Sequence, residues 1–384
     1  MIRLFVFLTV MLSVHAFFMW RVLHHWHVAK PLKYSLICLA SAMFVLVPLS
    51  FLSRQFDVGF PPWLATMTFI LVGTFGILYT FTLLKDLLVF FMWAGNKVAA
   101  TQPSFSPERR SSLAHAASWL ALGGTAAASA GAVINGRRYP NIIKTEVTMP
   151  RLPKGLDQLR VVQISDLHVG PTVDLERVRN VVKQVARAKP DIFVMTGDLV
   201  DGPVEQLGDI VAELTNVETT YGTYFCTGNH EYYSNAGPWC SFLEERGVHV
   251  LNNRHAVIDT DEGKIVMAGV TDLQGGRFYD DHRCDPNLAI AGAPENVACI
   301  LLAHQPKVAF LTEKGKFDLQ LSGHTHGGQF FPFNFLIHFA QKYVSGLYDH
   351  EDMKVYVNRG TAYWGPPMRL GPEQEITLIT LRSA

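Results

Sequence analysis

The sequence VVQISDLHVG, residues 161–170, is an apolar run that stops abruptly at two potential metal ligands, Asp166 and His168. Four or five β-prone residues in succession predict a buried strand, with the carboxylate and the imidazole at its C-terminal end. In open α/β sheets, ligands collect at the carboxyl ends of the strands. This stretch therefore predicts an α/β domain with a site at one edge of its sheet.

The same pattern of an apolar run followed by polar side chains returns four more times along the chain. The segments IFVMTGDLVDG, GTYFCTGNHE, ACILLAH and FDLQLSGHTHGG end in, or lead directly to, these ligand-type residues: Asp198, Asn229, His230, His304, His324 and His326. Five strands that deliver Asp, Asn and His to one rim of a sheet predict a metal site.

The residue types at this rim indicate which metals and which chemistry to expect. Asp, Asn and neutral His offer oxygen and nitrogen ligands, which suit Mn, Fe, Zn or a similar divalent ion. A carboxylate such as Asp198 can bridge two ions about 3.5–4 Å apart. Such a pair clamps the attacking and leaving oxygens of a phosphoryl displacement and generates hydroxide at neutral pH. The sequence therefore predicts hydrolysis of a phosphoester.

Composition bounds the remaining possibilities for this chain of 384 residues. The net charge is zero, so no nucleic-acid partner is expected. Five cysteines without any C-x-x-C spacing exclude a thiolate zinc site and argue against a disulfide framework, although Cys240 and Cys284 could pair in an oxidising compartment. The hydrophobic content of 49% is high for a soluble protein, and the excess lies before the first predicted strand.

Four uncharged or nearly uncharged runs account for this excess, and they cover residues 4–20, 34–53, 58–84 and 111–136. Each is close to or above the roughly 20 residues that cross a bilayer core of about 30 Å. The first run continues through Phe17 to Trp20 past any signal-peptide cleavage site, which favours an uncleaved anchor. We therefore expect a transmembrane region of about four helices over residues 1–138 and a catalytic domain over residues 139–384.

The distribution of basic residues predicts how the protein lies in the membrane. Lys and Arg are concentrated in the first and third loops, which favours these loops on the cytoplasmic side. The residues concerned are Arg21, Lys30, Lys33, Lys97, Arg109 and Arg110. Arg137 and Arg138, directly after the fourth run, count against this orientation. The expectation is an integral protein of the cell inner membrane whose catalytic domain faces the extracytoplasmic side.

Residues beyond 138 alternate between strand and helix patterns, which is typical of βαβ units. An edge strand is expected over residues 142–149. Asp174 is a suitable N-cap for a helix over residues 175–189, and further helices are expected over residues 204–214 and 237–245.

The motifs DLH, GDLVDG, GNHE, AHQP and GHTHGGQ occur in the order and approximate spacing of the calcineurin-like metallophosphoesterase superfamily. The resemblance covers residue 160 to the C-terminus. The tail VNRGTAYWGPPMRLGPEQEITLITL, taken with the membrane helices, is similar to the membrane-associated bacterial branch. The resemblance implies an α/β fold, a four-layered αββα sandwich, with a dinuclear metal site in which manganese is favoured over iron and zinc.

The resemblance also implies a role for each residue at the rim. It assigns three ligands to each of two ions: Asp166, His168 and His326 to the first, and Asn229, His304 and His324 to the second. Asp198 would bridge the ions as part of the catalytic centre. The catalytic His230 would lie over the substrate as a proton donor or a phosphate contact.

Several alternatives remain open from the sequence. The chain could instead be a membrane sensor or transporter with a regulatory phosphoesterase domain, or a non-catalytic scaffold of the same fold. The expected partners are the lipid bilayer and a phosphorylated, lipid-linked or envelope substrate; the oligomeric state and the choice among monoester, diester and diphosphate stay open. Residues 273–292, which include Arg277, Tyr279 and Arg283, either shape the substrate pocket or form a solvated loop.

Overall fold

The computed structural model describes residues 2–26, 28–55, 61–98 and 107–384. The chain forms two compact units, which consist of Met1–Ile134 with Pro366–Met368, and of Asn135–Gly365 with Arg369–Ala384. The first unit ends at Ile134, a few residues before residue 138, where the sequence places the boundary.

The first unit is helical. Its helices are α1 (Ile2–His25), α2 (Lys30–Gln55), α3 (Pro62–Val98) and α4 (Pro107–Arg137). In the part of the chain that the structure describes, three segments are long and apolar enough to cross a membrane: Lys30–Val47, Pro62–Met92 and Ser111–Arg137. The expected first span lies within α1, many of whose side chains the structure does not describe. The count of about four spans is therefore approximate.

The inner faces of these helices pack through large apolar side chains. Phe18, Trp26 and Phe75 belong to one buried cluster, and the rings of Phe18 and Phe75 meet edge to face at 5.6 Å. Arg21, one of the charges used to predict the orientation, forms an ion pair with Asp86 of α3. Residues 99–106 of the third loop, and the side chains of Lys97, Arg109 and Arg110, lie outside the described residues.

The second unit contains twelve strands and six further helices. The strands are β1 (Asn141–Met149), β2 (Arg160–Ile164), β3 (Ile192–Met195), β4 (Thr223–Phe225), β5 (His249–Val250), β6 (Arg254–Thr260), β7 (Gly263–Gly269), β8 (Ala298–Leu302), β9 (Leu319–Ser322), β10 (Gly346–His350), β11 (Met353–Val357) and β12 (Glu375–Ser383). The helices are α5 (Leu175–Ala188), α6 (Val204–Ala212), α7 (Asn229–Tyr233), α8 (Ala236–Glu244), α9 (Pro286–Ala289) and α10 (Phe333–Ala340).

The strands form two six-stranded sheets. The order is β1-β12-β2-β3-β4-β5 in the first sheet and β10-β11-β9-β8-β7-β6 in the second. Strands β2 to β5 are parallel to one another, as are β7, β8, β9 and β11, so their carboxyl ends share one edge in each sheet. The expected edge strand is β1, which pairs with β12 along nine residues.

Side chains alternate between the two faces of each sheet, and this alternation builds three core layers. Val161 belongs to the core between the sheets, whereas its neighbour Val162 packs with α5, α6 and α8 on the outer face. The outer face of the second sheet, which includes Leu301, packs with α9 and the short helical turn Pro306–Leu311. The predicted four-layered αββα sandwich is confirmed.

Helix α5 begins as expected, because the Asp174 side chain accepts a hydrogen bond from the Arg177 backbone at 3.0 Å. The Arg177 side chain is buried and donates to the carbonyl oxygens of Gly136, Arg137 and Arg138. Gln374 donates to the carbonyl oxygens of Gly136 and Arg138 as well. These are the carbonyl groups that a helix end leaves without partners. The last three residues of α4 belong to the second unit, and two side chains of that unit therefore cap them.

Candidate metal centre

The loops after β2, β3, β4, β8 and β9 carry every residue that the sequence singled out as a ligand. Each loop follows a short strand whose last residues are all buried, which fixes where the first residues of the loop lie. The predicted residues that the structure brings together at this edge are Asp166, His168, Asp198, His230, His304, His324 and His326. Asn229 begins α7 between Gly228, which packs on Asp198, and His230, whose backbone donates to Asp198 Oδ1 at 2.8 Å.

The backbone at these loops bends sharply enough to place non-glycine residues in the left-handed region. Five candidate ligands have φ between 50° and 72°: Asp166, His168, Asp198, His324 and His326. Such values are uncommon outside glycine and cost of order 1–3 kcal/mol each where the surroundings enforce them. Five of them at one site indicate that the fold holds these side chains in place at the expense of stability.

Two glycines of the motifs are explained by close approach. A Cβ on Gly228 would lie 2.2 Å from Asp198 Oδ1, and a Cβ on Gly323 would lie 1.9 Å from Ser165 Oγ. Neither distance leaves room for a side chain. The glycines therefore let neighbouring loops approach the carboxylates closely.

The donor atoms form two groups that meet at Asp198, and a third set, which consists of His168, Asp198 and His230, overlaps both. In the first group, His168 Nε2 lies 3.2 Å from His326 Nε2, which lies 3.3 Å from Asp166 Oδ1. In the second, His304 Nε2 lies 3.1 Å from Asp198 Oδ2 and 3.3 Å from His324 Nδ1. Asp198 Oδ2 also lies 3.8 Å from His168 Nε2. One carboxylate oxygen is thus close to both groups, as a bridging ligand requires.

The unsatisfied atoms at this site fit a pair of cations. Asn229 Oδ1 is buried and has no hydrogen-bond partner among the described residues. Leaving such an acceptor unpaired costs about 1–3 kcal/mol. Two imidazole nitrogens that lie 3.2–3.3 Å apart share one proton in the absence of metal, and when both are deprotonated their lone pairs repel unless a cation lies between them. The donor set of carboxylate, amide and imidazole suits hard or borderline divalent ions.

Hydrogen bonds from outside the two groups orient the ligands. His304 Nδ1 donates to the Thr196 carbonyl at 2.8 Å, which leaves Nε2 as the ligand atom. Both oxygens of Asp166 accept from the His324 backbone at 3.0 Å. Arg369, which is buried, donates to the carbonyl of His326 and lies 3.2 Å from its Nδ1.

Glu231 organises the turn that carries Asn229. Its carboxylate accepts from the backbone of Gly228, Asp198 and Leu199 at 2.6, 2.9 and 2.7 Å. The sequence motif GNHE contains this residue, but its role as a brace between two ligand loops was not foreseen.

Asp201 is another residue of the site that sequence reasoning missed. Its Oδ1 accepts from His230 Nδ1 at 2.5 Å and from His168 Nδ1 at 3.3 Å. The signal was present as the second Asp of GDLVDG, three residues after Asp198. Asp201 therefore orients one predicted ligand and the predicted proton donor together.

The electrostatic setting separates the histidines into two kinds. Burial alone would lower the pKa of His230, but the charge of Asp198 and the hydrogen bond and charge of Asp201 raise it to about 9. Burial and the charge of His304 instead lower the pKa of His324 to about 3. Burial and Arg369 hold the pKa of His326 well below its usual value. At neutral pH, His230 carries a proton to give, whereas His324 and His326 offer free nitrogen atoms.

His304 and Asp198 form a buried ionised pair in the absence of metal. Burial opposes both charges, but Asp198 raises the pKa of His304 well above its usual value, and His304 holds the pKa of Asp198 well below its own. Metal ligation requires neutral imidazole, so metal binding at His304 would release this proton.

Exposed aromatic side chains border the site. The ring of His230 lies 5.2 Å from that of Tyr233 and 5.7 Å from that of Trp364. Phe278, in the segment that the sequence left open, lies 6.0 Å from Tyr233, whose hydroxyl donates to Gln274 at 3.2 Å. This part of residues 273–292 therefore approaches the site, whereas the side chains of Arg277 and Arg283 are exposed.

The disulfide bond that the sequence left open does not form in this structure. Each of the five cysteines, all of which lie within the described residues, carries a free thiol. Cys240 and Cys284 therefore form no disulfide in this structure.

The chain is similar to proteins with metallophosphoesterase domains. A family model described as calcineurin-like phosphoesterase matches residues 159–328. A transmembrane protein with metallophosphoesterase domain from Danio rerio is 34% identical over 332 residues, covering 84% of this chain and 75% of that protein. Its Bos taurus namesake is 38% identical over 276 residues, covering 69% and 62%. An uncharacterized metallophosphoesterase of Bacillus subtilis is 31% identical over 277 residues, covering 67% and 94%.

Proposed function

The chain belongs to the calcineurin-like phosphoesterase family of metal-dependent phosphoester hydrolases, and from this premise we propose that it hydrolyses a phosphate ester of a lipid-linked or envelope substrate. The observation that carries the proposal is the convergence of oxygen and nitrogen donors from five strand ends around Asp198. Its apolar helices and its similarity to proteins named as transmembrane make it a membrane-linked phosphoesterase.

Two divalent ions would be held in the arrangement expected from the motifs. Asp166, His168 and His326 would hold one ion, and Asn229, His304 and His324 the other. Asp198 would bridge them, which the closeness of its Oδ2 to nitrogen atoms of both groups supports. We favour manganese over iron and zinc, since three of the seven ligands are the carboxylate and amide oxygens that suit manganese.

The protein side chains supply the remaining parts of the reaction. Bound at this site, two divalent ions would provide Lewis-acid stabilisation and a hydroxide nucleophile at neutral pH. His230 holds a proton on the imidazolium that Asp198 and Asp201 stabilise, and it would donate this proton to the leaving oxygen. Asp201 bonds Nδ1, so Nε2 is the atom left to face the substrate.

The surroundings favour a substrate that has an apolar part. Tyr233, Phe278 and Trp364 are all exposed, and they lie beside His230 or beside each other. Such a border suits a phospholipid, a lipid diphosphate or a related envelope phosphate better than a small soluble phosphate. We also propose that the catalytic unit faces the extracytoplasmic side of the cell inner membrane, because the basic residues favour that orientation.

The test uses the full chain purified in detergent and reconstituted with Mn²⁺. Turnover is measured on p-nitrophenyl phosphate, bis(p-nitrophenyl) phosphate, a phosphatidic acid and a lipid diphosphate, and metal content is measured in parallel. Asp198→Ala should lose bound metal and turnover together, because the two ions lose the anion between them. Asp209→Ala, an exposed carboxylate on α6, is the matched control and should retain both.

The outcomes distinguish the alternatives. Turnover with two bound ions supports the proposal, and the preferred ester names the substrate class. A protein that binds metal and hydrolyses none of the four esters would favour the scaffold. A protein that binds no divalent ion would contradict the metal centre itself.

A further inference from the structure

Helix α10 exposes large apolar side chains to an unusual degree. None of its eight residues is buried, and its sequence is FNFLIHFA. The exposed fraction is 62% for Phe335, 50% for Leu336 and 90% for Phe339. A phenylalanine side chain that is nine-tenths exposed buries almost no apolar surface and so adds almost nothing to the stability of the fold. Clustered exposure of this kind marks a surface that contacts something else.

The three most exposed apolar side chains share one side of the helix. At 3.6 residues per turn, Phe335, Leu336 and Phe339 fall within about 100° of arc. No Asp or Glu occurs between residues 319 and 348, and Lys342 follows the helix. A short helix with an apolar face, no acidic residue and a nearby lysine has the composition of an interfacial membrane helix. The lysine could keep its charge among the lipid headgroups.

The helix adjoins the metal centre. It begins seven residues after His326, and a Cβ on Gly328 would lie 2.4 Å from the Cα of Asn334 in α10. The rings of Phe330 and Phe333 meet at 5.6 Å. Whatever covers α10 therefore lies next to the loop that carries two of the candidate ligands.

We propose that α10 inserts into the headgroup region of a lipid bilayer and brings the metal centre to the membrane surface. A bilayer is the occupant that the chain itself indicates, because three segments within its described residues are long and apolar enough to cross one. The last of these ends at Arg137 and β1 begins at Asn141. The three residues between them span at most about 14 Å, counted over four steps of about 3.6 Å. The catalytic unit is thus tied to a membrane by a very short connection.

The proposal deepens the proposed function, on which its substrate part rests. A site held at the bilayer surface would take a lipid phosphate from the plane of the membrane without extracting it into water. The insertion of α10 itself does not depend on catalysis, so the two can fail separately.

The test of insertion uses the full chain in lipid nanodiscs, in a Cys38→Ser, Cys284→Ser background whose three remaining thiols are buried. An NBD fluorophore is attached at Phe339→Cys, or at the control Leu288→Cys, which lies on α9 and is 55% exposed. We expect spin-labelled lipids to quench the label at Phe339→Cys and iodide to have little effect. The control label should show the reverse.

Two results would overturn the proposal. One is quenching of the Phe339→Cys label by iodide to the same extent as the control. The other is protection from both quenchers, together with cross-linking of two chains through Phe339→Cys, which would make a second copy of the chain the occupant of this face.

A second measurement connects insertion to the substrate. The ratio of phospholipid turnover in vesicles to turnover of a soluble p-nitrophenyl ester is measured for the wild-type protein and for the double variant Phe335→Asp/Phe339→Asp. This ratio should be about tenfold or more lower in the variant, because two carboxylates oppose insertion into the interface. Leu288→Asp should leave the ratio as it is. An unchanged ratio in the double variant contradicts the proposal, whereas a wild-type protein inactive on every ester contradicts the proposed function and leaves the quenching result standing.

Discussion

At the residue scale, the environment of His230 separates proton donation from metal binding. Its imidazole is held by Asp201 and its backbone by Asp198, and its raised pKa keeps it protonated at neutral pH. The pKa of His304 is raised as well, but that proton would be released on metal binding, whereas His230 would keep its own. His230→Ala should lower turnover by about 10²–10⁴-fold with metal content retained. The loss should be severe for an alkyl ester and milder for a p-nitrophenyl ester, whose phenolate leaves without a proton.

The comparison of leaving groups decides between the two roles that the sequence allowed. Equal losses for both esters would make His230 a phosphate contact. A loss of bound metal would make it a ligand or a support for Asn229.

The pH profile should report the same proton. Turnover of the alkyl ester needs protonated His230, so it should be present below the pKa of that group and decline as the pH rises through it. The structure places this pKa at about 9, and two bound cations would lower it by drawing on the charge of Asp198. Asp201→Asn removes a carboxylate that raises the pKa, so the alkaline decline should move to lower pH. An alkaline limb that stays in place would remove Asp201 from this role.

At the element scale, the ligand loops trade stability for position. His324 has φ of 72°, and its backbone N–H donates to Asp166. His324→Gly and His324→Ala both remove the ligand, but only glycine adopts this conformation without penalty. We expect the metal-free glycine variant to be more stable by about 1 kcal/mol, which raises its melting temperature by a few degrees. Equal melting temperatures for the two variants in detergent would show that the loop relaxes.

The ends of the strands were predictable because their chemistry is local. An apolar run that stops at Asp166 or His304 carries its own signal, and so does Asp174 at the start of α5. Side chains whose partners are brought close only by folding carry no such signal in the sequence. The burial of Arg177 could not be predicted, because charged residues of a helix such as α5 usually lie on its exposed face. In the structure, its side chain is buried against the end of α4. Asp201 likewise acquires its role only when β3 and β4 bring their loops together.

Helix α10 was not foreseen either. Its eight residues are mostly apolar and none of them is buried, so the sequence did not reveal a helix with a core-facing side. Periodicity identifies helices that bury one face against a core. A helix that contacts no core offers no such signal, so its existence was visible only in the structure.

At the scale of the whole molecule, the orientation in the membrane is the property that most affects access to substrate. The distribution of Lys and Arg predicts that residues 139–384 lie outside the cytoplasm. Two reporters can be fused after Ala384. A reporter that works only outside the cytoplasm should therefore be active, and a reporter that works only in the cytoplasm should be inactive. The reverse pattern would place the site on the cytoplasmic side and restrict the substrate to lipids of the inner leaflet.

The position of β12 has a consequence for how the chain folds during synthesis. This strand lies between β1 and β2, although every other strand precedes it in the chain. The ribosome thus delivers β1 directly after the last membrane helix and its neighbour only when the whole domain has been made. Pairings so distant in sequence form late. A chain that stops before Glu375 leaves β1 and β2 as two open edges, and open edges recruit other chains. Premature termination should therefore yield aggregates at the membrane rather than a smaller working enzyme.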